Sequence, residues 1–306
     1  MPLTSSPPRR VVALASRASF VAPLVLVTLA VAVGPAPSAH AQRGGGENAR
    51  FQATGPRLTL NDLEEIAPRL ESADSNEVRE ALTLLSLIDR PEVVPPIAAM
   101  LRRGQPDVVT DEALRVLGLL GAPEAIEVLT EFTAHRRSDA RRQAYEALGA
   151  IQDRRVPALV ARGLSDGERG VRGAVAGILG EMGARARPEI DRLFLAFERG
   201  VVEAGPAIGK VGAEGTIERF HGFLGGSIPF AVMLSGYEAY LRRDDVSYEA
   251  KKGIVERLEE LATVPARNFL SRYLDSFPER PRARRIRVLR QAVLDAVNRI
   301  ASEDLQ

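Results

Sequence analysis

The sequence predicts an all-α fold, an α-α superhelix of stacked helical hairpins. Four residue pairs, Val78-Arg79, Val109-Thr110, Ala140-Arg141 and Val171-Arg172, recur at a step of 31 residues. Eight residues after the second member of each pair stand Leu87, Gly118, Gly149 and Gly180, and Gly209 continues that series after 29. Apolar residues fall at helical spacing, and no stretch alternates with the period of two that a half-buried strand requires. A step of roughly 20 to 50 residues marks a repeat architecture, in which each unit buries its apolar face on the next.

The N-terminus stands outside this pattern. Arg9, Arg10 and Arg17 make a basic region, and Ala18 to Val33 is an uncharged, mostly apolar run of 16 residues. Ala39-His40-Ala41 then gives a small-x-small cleavage pattern. This order of features predicts a secretory signal peptide over residues 1–41. An uncleaved anchor is the alternative, but the run is shorter than the roughly 18 to 20 residues that span a bilayer. Export, to the periplasm or beyond the cell, is therefore expected. Residues 42–57 are glycine-rich and polar and read as a flexible linker.

The 306-residue chain has no cysteine. Disulfides, thiolate metal sites, cysteine nucleophiles and a lipid-bearing cysteine are all excluded. Without the three signal arginines, 38 basic side chains face 40 acidic ones. A chain so near neutrality has no global attraction for nucleic acid.

From Leu58 onward each unit reads as helix, turn, helix. Ala140, Ala144, Ala147, Leu148 and Ile151 fall on one helical face. Asp74, Asp107, Asp139 and Asp166 precede the first helices, where a carboxylate can cap free N–H groups. The phased glycines either end those helices or admit a close neighbour. Pro95, Pro123, Pro157 and Pro188 open the second, apolar segments, as suits a residue without an N–H.

At these residues the chain resembles the HEAT-repeat family, in particular the short repeats first described in phycobilisome lyases. Those repeats carry a first helix of the form Asp-x-x-Val-Arg-x-x-Ala-x-x-x-Leu-Gly and a second of the form Val-Pro-x-Leu. The matching residues are Val78-Arg79, Ala140-Arg141 through Leu148-Gly149, Val156-Pro157-Ala158-Leu159, and Val171-Arg172 through Leu179-Gly180. The resemblance is clear over about residues 74–200 and implies a right-handed superhelix of about seven to eight helix pairs. HEAT-like repeats are expected over 58–224, opening on a capping helix over Leu58 to Glu71. Divergent helical repeats with a C-terminal cap are expected over 225–306. The candidate helices there are Pro229 to Leu241, Tyr248 to Leu261, Pro265 to Phe277 and Arg282 to Ile300, with a separate bundle as the alternative.

The chemical motifs are few. The in-phase Arg79, Arg141 and Arg172 are expected to pair with aspartates of adjacent turns, a ladder that Thr110 interrupts. His135 and His221 are isolated, and no carboxylate stands at ligand spacing from either. HEAT-repeat hydroxylases hold two iron ions on repeated His-Glu pairs, whereas here Arg136 and Gly222 follow the histidines. Gly209-Lys210-Val211-Gly212 lacks the pattern of a phosphate loop, and no nucleophile elbow is present.

The expected function is that of a non-enzymatic, exported protein-protein interaction scaffold. The resemblance implies a concave surface lined by second helices, and helix phase puts Arg102, Arg103, Glu127, Glu131, Arg162 and Arg192 there as contacts. No cofactor, nucleic acid or stable membrane span is expected, and the partner is a protein. Two alternatives stay open. One is a lyase-like enzyme or enzyme auxiliary acting on a partner protein. The other is an anionic-surface binder using Arg282, Arg284, Arg285 and Arg287 on a basic amphipathic helix.

Overall fold

In the computed structural model, which describes residues 58–303, the first helix begins where Asp62 accepts both the backbone N–H and the hydroxyl of Thr59, at 2.5 and 2.8 Å. That helix, α1 (Leu60–Ile66), runs into a 3-10 turn over Ala67–Glu71. All regular structure among the described residues is helical. The expected signal peptide and linker lie outside the described residues.

Five hairpins follow. They are α2 (Ser75–Leu85) with α3 (Val94–Arg102), α4 (Asp107–Leu120) with α5 (Ile126–Phe132), and α6 (Ser138–Ala150) with α7 (Val156–Val160). Then come α8 (Arg169–Met182) with α9 (Ile190–Glu198), and α10 (Ala204–Val211) with α11 (Ile217–His221). The remaining helices are α12 (Phe230–Arg242), α13 (Tyr248–Glu260), α14 (Val264–Asp275) and α15 (Arg284–Glu303).

First helices stack in chain order, α2 on α4, α4 on α6, α6 on α8, α8 on α10 and α10 on α12. Each buries the face its periodicity marks. On α6 and its end, Ala140, Ala144, Leu148 and Ile151 are fully buried and Ala147 nearly so. At such a face each residue withdrawn from water contributes roughly 1 to 3 kcal/mol, depending on its size.

The phased glycines set how closely the first helices approach. A Cβ on Gly118 would lie 3.0 Å from the Ala147 Cα, and one on Gly209 would lie 2.2 Å from the Gly236 carbonyl oxygen. Close packing, not helix termination, is therefore the reason for glycine at these two places. Termination falls instead to Gly121, which ends α4 at φ 58°.

Capping departs from the expectation at three of four aspartates, since Asp166 stands two residues before the N-cap of α8, Glu168, and makes no cap bond to that helix. Asp74 caps α2 by accepting from Asn76 N–H at 2.9 Å, and Asp166 accepts from Glu168 N–H at 2.8 Å. Asp107 and Asp139 sit inside the first turns of α4 and α6 and make no side-chain cap bond. Their carboxylates point outward, Asp107 to Arg137 at 2.9 Å and Asp139 toward Arg142 at 3.9 Å.

The arginine ladder is also only partly as expected. Arg141 pairs with Asp166 through two bonds of 2.7 and 2.8 Å. Its Nη1 also donates to the carbonyls of His135 and Arg136. Arg172 makes that same backward clamp, on the carbonyls of Asp166 and Gly167, and pairs with no aspartate side chain. Thr110, in the equivalent place, reaches the Gln105 carbonyl at 3.3 Å with its shorter arm. The repeated position thus ties α4, α6 and α8 to the turn before each, whereas Arg79 makes no such bond among the described residues. Turn carbonyls that would otherwise be orphaned gain a partner.

Beyond α12 the stacking partners change. α13 and α14 both pack on α15, while α11 touches α13 and α12 touches both α13 and α14. An aromatic cluster fills the junction, with Phe197 stacked on Phe220 at 5.5 Å and Phe220 edge-on to Tyr237 at 5.2 Å. Arg243 donates to the carbonyls of Gly209 and Gly212, closing the exposed end of α10.

Candidate functional site

Second helices present their polar side chains along one face, and most of those charges are already spoken for. Arg102 donates to both oxygens of Glu131 at 3.1 and 2.7 Å and lies 3.6 Å from Glu127. Its hydrogen bond holds the Glu131 carboxyl below the usual glutamate range. Arg103 reaches back to Glu71 at 3.3 Å and to the Leu70 carbonyl. Further along, Arg219 pairs with Asp191 at 2.5 Å while its guanidinium lies 4.0 Å from the centre of the Phe194 ring. These ties link one repeat to the next. Each is exposed, so each contributes at most about 1 kcal/mol. Four of the six contact residues read from helix phase, Arg102, Arg103, Glu127 and Glu131, thus belong to inter-repeat pairs.

The other two converge. Arg162 and Arg192 line one groove of about 350 Å³, with Arg199 as a third cation. Leu195 stands among them, 43% exposed. Arg192 is held by Glu189 at 3.1 Å and by the Ala158 carbonyl at 3.3 Å. Among the described residues, neither Arg162 nor Arg199 has a carboxylate at ion-pair distance. Sequence reasoning missed Arg199, which stands just past the end of α9 at its C-cap. Helical phase carried to that position places Arg192, Leu195 and Arg199 at i, i+3 and i+7 on one face.

The opposite, first-helix side carries a larger groove of about 630 Å³, flanked by exposed Val108 and Leu119. Arg115 pairs with Glu112 and Arg142 with Glu146 at 2.8 Å along their own helices, Asp111 pairs with Arg137, and Arg79 alone of its cations has no carboxylate at ion-pair distance among the described residues. It offers an anion less than the Arg162 groove does.

The C-terminal arginines separate. Arg287 turns inward, donating to the carbonyls of Pro281 and Arg282 in the clamp already seen at Arg141 and Arg172. It is a repeat residue in register. Arg284 and Arg285 line a cavity of about 490 Å³ with Tyr248 and Val288, and the Arg285 guanidinium sits 5.0 Å from the Tyr248 ring centre. Arg282 is exposed.

Neither histidine has ligand-like surroundings. His135 accepts the Arg137 N–H at 3.2 Å and stacks on Phe132. His221 is buried and shares a 2.7 Å hydrogen bond with the Tyr237 hydroxyl, and burial pushes its pKa down. Among the described residues no three His, Asp or Glu side chains are grouped to hold a metal ion. No helix there is long and apolar enough to cross a membrane.

The hairpin geometry has its counterpart in known proteins. Residues 63–149 match the model that describes HEAT repeats. Over that segment the chain is similar to HEAT repeats. The HEAT match runs from within α1 to the penultimate residue of α6, and the clamp at Arg172 extends the same local geometry into α8. No curated protein matches the sequence.

Among solved structures, the fold is similar to a chain in a homology model of the full-length AP-3 complex in an intermediate open conformation. There the TM-score is 0.50 at 13% identity, over 78% of this chain and 51% of that one. The chain thus spans about half the length of that relative, and the likeness is one of fold. The complex of CpcE and CpcF of phycocyanin lyase from Nostoc sp. PCC7120 matches at a TM-score of 0.41 and 17% identity, over 84% of this chain and 100% of that one. A designed armadillo repeat protein in complex with the peptide (KR)4 matches at 0.35 and 16%, over 78% and 100%.

Proposed function

We propose that the protein is a non-enzymatic, exported scaffold that docks a partner protein along its second-helix face. The observation that supports this reading best is the groove of Arg162, Arg192 and Arg199 around exposed Leu195. Two of its cations have no carboxylate partner among the described residues. A segment bearing acidic side chains beside an apolar one would complete both the charge and the exposed apolar surface. The neighbouring repeats, tied by pairs such as Arg102 with Glu131, supply a rigid frame, which lowers the ordering cost of binding.

The test is a cross-linking pull-down from an envelope extract with the purified protein as bait. One or a few stoichiometric protein partners are expected. The double variant Arg162→Glu/Arg199→Glu should lose their capture by roughly tenfold or more while melting as the wild type does. Capture that ignores this charge reversal would refute the groove. Recovery of lipid or glycan alone, lost with added salt, would move the function to exposed Arg282, Arg284 and Arg285.

A further inference from the structure

Lys251 breaks the rule that its position otherwise obeys. It is the fourth residue of α13, the place Arg141, Arg172 and Arg287 take on α6, α8 and α15. Those arginines donate to carbonyls five and six residues back. The equivalent acceptors for Lys251 are the carbonyls of Asp245 and Val246, yet among the described residues it makes no such bond. Its ammonium lies 5.7 Å from the centre of the Tyr248 ring instead, and the side chain lines an open cavity of about 510 Å³ between α12, α13, α14 and α15.

Lys251 is only 7% exposed. A cation so far out of water is costly unless something pairs with it. No carboxylate among the described residues stands at ion-pair distance. Of the two acidic side chains on the cavity wall, Glu238 is taken by Arg242, and Asp244 is exposed to solvent. Apart from Arg242, Arg272 and Ser276, the remaining lining is aromatic and apolar. Tyr273 meets Phe277 edge to face at 4.9 Å, and Phe269 and Leu289 are buried beside them. Arg272 adds a further cation to the lining. A largely apolar cavity of this size with a few polar groups converging on it has the makings of a small-molecule site.

We propose that this cavity binds a small organic anion with an aromatic or aliphatic body, its charged group met by Lys251 and its body lying against Tyr248, Tyr273 and Phe277. The site is independent of the partner groove at Arg162. Burial holds the Lys251 pKa below the usual lysine range, with the carboxylates of Asp244 and Asp245 partly opposing it.

The test uses two fluorescent probes that differ by one charged group, 8-anilino-1-naphthalenesulfonate and the neutral N-phenyl-1-naphthylamine. The sulfonate is expected to bind the wild-type protein at one saturable site, at least tenfold more tightly than the neutral amine. Lys251→Met removes the charge at similar volume, and it should weaken the sulfonate tenfold or more while changing the amine less than twofold. Circular dichroism melting should show the variant at least as stable as the wild type, since an unpaired buried charge is gone. No saturable sulfonate site on the wild type, no preference for the sulfonate over the amine, or equal loss of both probes in Lys251→Met would each overturn the proposal. The first two comparisons use the wild-type protein alone and stand whether or not the variant folds.

Discussion

Arg141 grips both carboxylate oxygens of Asp166 across a repeat boundary, at 2.7 and 2.8 Å. The same carboxylate accepts the Glu168 N–H at 2.8 Å, so one residue receives the first helix of the previous repeat and ties the turn before its own. The Asp166 side chain is 7% exposed and that of Arg141 15%. A bidentate pair this shielded is a strong interaction by comparison with surface pairs.

The Arg141 hydrogen bond holds the Asp166 carboxyl below its usual value near 3.8, with burial opposing and the Glu168 N–H assisting. A depressed carboxylate contributes stability that is fully present above its unfolded pKa and is lost as pH falls through the lower folded one. Arg141→Leu should therefore cost about 2 to 4 kcal/mol at pH 7, because it strands a buried carboxylate. The deficit should shrink as pH drops below about 4 and that carboxylate takes a proton. Urea unfolding at pH 7 and pH 3 checks this. A deficit that stays constant with pH would show that packing, not charge, carries the effect.

Leu148 lies fully buried at the centre of the α6 face. Leu148→Asp places an unpaired charge there and should cost more than about 4 kcal/mol. Because repeats rest on nearest neighbours, the loss should spread to α4 and α8. Hydrogen exchange resolved by segment is the measurement. Loss of protection confined to α6 would argue against that coupling.

Gly209 faces the Gly236 carbonyl so closely that an added Cβ would sit 2.2 Å from its oxygen and 2.6 Å from the Ala239 Cβ. Gly209→Ala must part α10 from α12 and should destabilise by about 1 to 3 kcal/mol despite alanine's higher helix propensity. Gly177, on the same kind of helix but with open space around its Cβ position, should instead tolerate alanine or gain about 0.5 to 1 kcal/mol from it. Paired thermal melts of the two variants separate packing from propensity.

α15 buries Leu289, Val293, Ala296 and Ile300 against α13 and α14. Deleting residues 282–306 should uncover apolar faces of both helices and drive self-association. Light scattering with concentration would show it. A monomeric truncation of unchanged melting temperature would make α15 an appendage.

Much of this architecture was legible before any coordinates. The Ala140 to Ile151 face and the four C-terminal helices follow from spacing alone, because a helix repeats its environment every 3.6 residues, whereas the phased glycines left termination and close packing both open. The aspartate caps were legible only in part, since a shift of one residue moves Asp107, and of two moves Asp139, from the cap into the first turn. The basic groove was half legible. Arg162 and Arg192 emerged from helix phase, but Arg199 needed the true end of α9.

What the sequence determined by itself is the all-α repeat, its period, its core faces and the phase of its glycines. Those signals are local, each carried within about one repeat. Tertiary structure alone decided which charges meet. Arg102 is tied to Glu131 while Arg162 and Arg199 are left without a carboxylate, and Lys251 turns from the clamp its position predicts into a cavity. The stagger of one hairpin on the next sets those distances, and a shift of a few ångströms, invisible in residue spacing, separates an ion pair from an open site.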